Sequence, residues 1–118
     1  MNSKIARETL TALLTWRKSP TEIQHEIALL PWDATEPLAT LQRSHIIGAL
    51  KNYLSQIASA AELELWANLI EAREDIAIEP NHGELIPGII FQLANPELEG
   101  KMTFSTANQL IEQLNHPS

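Results

Sequence analysis

Ser59-Ala60-Ala61-Glu62-Leu63-Glu64-Leu65-Trp66-Ala67-Asn68-Leu69-Ile70-Glu71-Ala72-Arg73 is the most regular segment of the chain. Ser59 with Glu62 three residues later is a capping-box signature. Leu63, Trp66, Ala67 and Ile70 then recur on one helical face, and Leu65 and Leu69 widen it. A face this broad needs cover from several sides. The spacing therefore predicts a central helix ending near Arg73.

On the amino-terminal side the same logic gives three more helices. Lys4–Trp16 carries Ala6, Leu10, Leu13 and Leu14 on one face, with Ile5 alongside. Ser19-Pro20-Thr21-Glu22 is a second start signal: a capping Ser, Pro at the first helical position, and Glu at the third. That helix points Ile23, Ile27 and Leu30 inward and stops before Pro31. Pro31 to Pro37 is a stiff irregular stretch with Trp32 as its anchor. A third helix is expected from about Thr40 to Gln56, with Leu41, Ile46, Ile47, Leu50, Tyr53, Leu54 and Ile57 as its apolar face.

Beyond Arg73, Glu74 to Asn81 reads as a loop. Leu85, Ile86, Ile89, Ile90 and Leu93 have helical period, and Pro87 is compatible if it lies in the first turn. Glu97 to Phe104 is a connection, and a last helix from near Ser105 uses Ala107, Leu110, Ile111 and Leu114. The chain contains no Val and no long alternating run, so strand signals are poor. The expectation is an all-α, compact bundle of about six helices, one domain over residues 1–118.

The 118 residues suit one core without staples. There are no cysteines, which excludes disulfides, thiolate metal sites and cysteine nucleophiles. The formal charge of -7 repels phosphate backbones and attracts basic proteins. No apolar run is long enough for a signal peptide or a bilayer span. A cytoplasmic protein that binds neither nucleic acid nor membrane is expected.

Signals for catalysis are sparse. No glycine-rich phosphate loop or nucleophile elbow is present. Glu22 and His25 have the spacing used by two-metal carboxylate bundles, but no matching set faces them. An exposed His beside a solvating acid is the plainer reading. His45 is expected half buried and hydrogen bonded. His82 lies between Glu79 and Glu84, where a metal ligand competes with helix-start solvation. His116 is in the tail. No catalytic residue, cofactor or metal is assigned.

The acids are more telling. Glu62, Glu64, Glu71, Glu74, Asp75, Glu79 and Glu84 crowd one segment whose single base is Arg73. Glu71, Glu74 and Asp75 share a face if the helix continues, at a cost of a few tenths of a kcal/mol per like-charge pair. A solvated acidic face and a docking surface for a basic partner both account for this. Of the tryptophans, Trp66 is expected in the core. Trp32 fits either a core plug or a rim anchor.

Three stretches carry a family likeness: Leu30-Pro31-Trp32-Asp33 with Glu36-Pro37-Leu38; Glu64-Leu65-Trp66-Ala67-Asn68 with Glu71-Ala72-Arg73-Glu74-Asp75-Ile76; and Ile90-Phe91-Gln92-Leu93-Ala94-Asn95-Pro96-Glu97-Leu98. Together they resemble small bacterial immunity proteins of contact-dependent growth inhibition systems. The resemblance implies a helical cytoplasmic inhibitor without catalysis of its own. Its partner would be the toxin domain at the end of a large delivered filament protein, a nuclease, with a ribonuclease of the pancreatic type as one candidate. It further implies that Leu65, Trp66, Ile76 and Phe91 are kept for packing, with Arg73 paired to Glu74 or Asp33.

On physical grounds the toxin-binding residues are Glu71, Glu74, Asp75, Glu79 and Glu84, with Asp33 and Glu36 second, in a one-to-one complex with a basic domain. Three alternatives stay open. They are a small metal-dependent enzyme on His25, His82 and nearby acids, a self-associating adaptor, and a helix-turn-helix protein, which the charge disfavours.

Overall fold

In the computed structural model, residues 3–30, 36–80 and 84–115 are described. Trp32, Asp33, His82 and His116 lie outside them. Within these limits the order is α1 (Ser3–Leu14), α2 (Pro20–Ala28), β1 (Ala39–Leu41), α3 (Arg43–Leu54), α4 (Ala60–Glu71), β2 (Ile76–Ile78), α5 (Leu85–Ala94), α6 (Pro96–Glu99) and α7 (Phe104–Asn115).

Both capping boxes form as the sequence predicts. The Ser19 hydroxyl accepts from the Glu22 N–H at 3.2 Å, and the Glu22 carboxylate accepts from the Ser19 N–H at 3.1 Å. Ser59 and Glu62 repeat this at 3.1 and 3.2 Å at the start of α4. A third start, at α7, uses Thr103, whose hydroxyl accepts from the Thr106 N–H. In α5, Pro87 sits in the first turn, where a missing N–H leaves no helical bond unmade.

The helix ends come earlier than periodicity alone suggests. α1 stops at Leu14 and not at Trp16. Trp16 has φ 59°, its N–H reaches Leu13 O, and the Arg17 N–H reaches Ala12 O. This is a Schellman motif with Trp in the left-handed position. α3 ends the same way at Leu54, with Gln56 at φ 65° and the Ile57 N–H on Asn52 O. Neither site has the glycine that usually marks such a stop. A non-glycine residue there costs about 1–2 kcal/mol. At Trp16 that cost is offset by ring contact with Trp66, centroids 5.8 Å apart.

Two short strands are the main correction to the all-helical expectation. Residues 39–41 extend rather than opening α3, and residues 76–78 are a strand rather than a loop. They pair in parallel, with Ala39 opposite Ile76, Thr40 opposite Ala77 and Leu41 opposite Ile78. Each strand has only three residues, too few for an alternating pattern to show. A further correction is α6, a single turn in what reads as a connection.

α4 and α5 make the most extensive helix contact, α2 crosses α4, and α3 packs along α7. Trp66 is fully buried at the centre, and its indole N–H donates to Leu13 O at 2.8 Å. Ile86, Ile89, Ile90 and Leu93 of α5 belong to the same core as Trp66, and α5 packs on α4. Ile5, Ile57 and Phe91 face solvent instead, at 54%, 68% and 43% exposure. Their expected packing roles are therefore not met. The 13.8 Å radius of gyration matches the ~13.5 Å of a compact chain this long.

Replacing Ser59 by Ala removes one partner of the α4 box and is expected to lower stability by about 1 kcal/mol in urea unfolding. The exposed Gln109→Ala control, within α7, should stay within about 0.5 kcal/mol.

Candidate functional site

The acidic segment does not lie on one helical face. α4 ends at Glu71, and the chain turns through Arg73 before entering β2. That turn reverses the role of one acid. Asp75 is buried, and its carboxylate is held by Arg73, with Nε–H donating to Oδ1 at 3.0 Å and Nη2 to Oδ2 at 2.5 Å. The side chains retain only 1% and 5% exposure. Asp75 is therefore structural and not available as a contact. Arg73 pairs with it, where the resemblance implies Glu74 or Asp33; Asp33 lies outside the described residues.

The remaining acids fall at two ends of the small sheet. The Leu38 N–H bonds to Asp75 O at 2.7 Å, so the strand register sets the segment from Glu36 beside Glu74. Glu36, Glu71 and Glu74 are all exposed there. Glu79 lies past the other end of β2. It is half buried, and its carboxylate accepts from the Arg43 N–H at 3.4 Å. Glu84 is exposed at the start of α5. The backbone therefore sets Glu36 and Glu74 at the start of the sheet, just past the end of α4 at Glu71, and Glu79 beyond the other end of β2.

A broader feature was missed by attention to the run alone. From Asn52 to Gly100 the only Lys or Arg is Arg73, and that side chain is committed inside the protein. Glu62, Glu64, Glu71, Glu74, Glu84, Glu97 and Glu99 therefore have no exposed Lys or Arg within their own segment. The signal was present in the spacing of cations, from Lys51 directly to Arg73 and then to Lys101.

The histidines separate by environment. His25 is exposed, and the carboxylate of its neighbour Glu22 is engaged in the α2 cap. Hydrogen bonds from the Ser19 backbone and side chain hold Glu22 below the usual carboxylate value. Among the described residues no group of three or more His, Asp or Glu is placed to hold a metal ion. His45 is half buried, and its Nδ1 accepts from the Gln42 N–H at 3.0 Å at the start of α3. Burial lowers its pKa, and the Glu79 charge partly opposes this. Among the described residues no helix is long and apolar enough to cross a membrane.

A groove of about 400 Å³ opens between the start of α4, the end of α5 and the α6–α7 connection, with mostly apolar walls. In comparisons with known proteins, no family model, no curated protein and no solved structure matches the chain.

His45 supplies a test by pH. Its folded pKa lies below the ordinary 6.5, so the unfolded chain takes up this proton first. Its contribution to stability is full above pH 6.5 and declines as the pH falls toward the lowered folded value. His45→Gln should flatten that part of the pH–stability curve in denaturant titrations. The fall at lower pH, where Glu22 loses its charge-dependent cap, should remain.

Proposed function

We propose that this protein is a non-catalytic inhibitor that binds a basic partner domain one-to-one through its acidic surface. The likeness to contact-dependent growth inhibition immunity proteins supports a toxin as that partner, met in the cytoplasm. The observation that carries the reading is the unneutralised carboxylate surface at Glu36, Glu71 and Glu74, beside an arginine already spent on Asp75.

The physical logic is complementarity. A nuclease must present a cationic site to hold phosphate. Carboxylates on an inhibitor occupy such a field in place of the substrate's phosphates. Long-range attraction then speeds encounter and makes it sensitive to salt. A ribonuclease of the pancreatic type is the partner class this reading favours.

Charge reversal at Glu71 and Glu74 tests it. Glu71→Lys with Glu74→Lys should slow association with the cognate basic domain at least tenfold at low salt. The effect should shrink as ionic strength rises. An unchanged on-rate in stopped-flow binding removes this surface from the mechanism. Asp75 must not be part of that test. Asp75→Ala strips two charge-assisted hydrogen bonds from the buried Arg73 guanidinium and is expected to cost about 3–5 kcal/mol in urea unfolding. Glu74→Ala next to it should change stability by less than about 0.5 kcal/mol.

A further inference from the structure

α4 presents a second stripe, opposite its buried one. Ala61, Glu64, Asn68 and Glu71 follow at spacings of three, four and three, which places them on one helical face. Ala61, Asn68 and Glu71 are exposed, and Glu64 is half buried. The stripe runs about 15 Å at 1.5 Å per residue. Its carboxyl end is the Glu71–Glu74 surface. Its amino end opens into the groove between α4, α5 and α6.

That groove has an apolar floor. Leu63 and Leu93 are 1% and 4% exposed and line it from α4 and α5, with Met102 across from Ala60 and Ala61. Its charged lining is Glu64, Glu97 and Lys101, two carboxylates against one ammonium. Volume and walls suit one large apolar side chain. The surrounding charge selects against an acidic flank on whatever carries it.

We infer that the groove is the anchor socket of the same docking face: it takes a single aromatic or branched apolar side chain from a basic partner segment, while Glu64 and Glu71 meet the cations flanking that side chain. This rests on the inhibitor reading and adds to it. Charge alone gives rapid but salt-labile association, whereas one desolvated apolar anchor supplies slow dissociation. Glu64, on the groove wall and on the stripe, is the link between the two.

The test uses the full chain and three synthetic twelve-residue peptides followed by amide chemical shifts. The first is Lys/Arg-rich with a central Phe, the second has Ser in place of that Phe, and the third keeps Phe among Glu residues. The first peptide should shift Ala60, Ala61, Leu93 and Met102 together with Glu71 and Glu74. The second should shift only Glu71 and Glu74, and the third none of them. Ala61→Trp places an indole at the mouth of the groove. With helicity unchanged, it should weaken the first peptide at least tenfold and leave the second unaffected. Shifts at Glu71 and Glu74 without any at the groove overturn the socket and leave the basic-partner reading standing. Groove shifts from the acidic peptide equal to those from the basic one also overturn it. No response at Glu71 or Glu74 to either basic peptide overturns the underlying reading itself.

Discussion

The Arg73–Asp75 pair sits where α4 hands over to β2, and much of the architecture depends on its geometry. Two charges so thoroughly removed from water persist only when well matched, and the two-pronged contact meets that condition. Holding the Asp75 side chain inward also holds its backbone. The Asp75 carbonyl then accepts from the N–H groups of Leu38 and Ala39, which brings in the segment after α2 and starts the sheet. The pair thus sets the exit from the central helix, the register of the strands, and the outward direction of Glu74. The pair is neutral overall and leaves the exposed carboxylates of Glu71 and Glu74 beside it uncompensated by Arg73.

A second tie works on the other side of α4. The Leu13 carbonyl accepts both the Trp16 N–H that closes α1 and the indole N–H of Trp66. One acceptor thereby couples the stop of the first helix to the middle of the core. The strained backbone at Trp16 fits this arrangement, because the left-handed turn brings its ring onto Trp66. Packing here offsets a backbone cost of similar size.

The legible parts of the fold were those written in local chemistry. Ser19 and Ser59 each stand three residues before a glutamate, and both boxes form. The apolar faces of α1, α4, α5 and α7 were evident from period alone. Features fixed by distant contacts were not legible. The stops at Trp16 and Gln56 carry no glycine, so the helices looked two residues longer. Ala39–Leu41 and Ile76–Ile78 are strands only because they find each other. Of the acidic candidates, Glu36, Glu71, Glu74 and Glu84 are exposed as expected. Asp75 was indistinguishable from Glu74 in sequence, and only the turn after Glu71 turns one inward and the other out.

The sheet also has a bearing on the order of assembly. Ala39 and Ile76 are far apart along the chain, with all of α3 and α4 between them. Closing so long a loop costs chain entropy that three residues of pairing cannot repay by themselves. The intervening helices must condense first and deliver the two strands to each other. The surface holding Glu36 beside Glu74 is therefore completed only once α3 and α4 have packed.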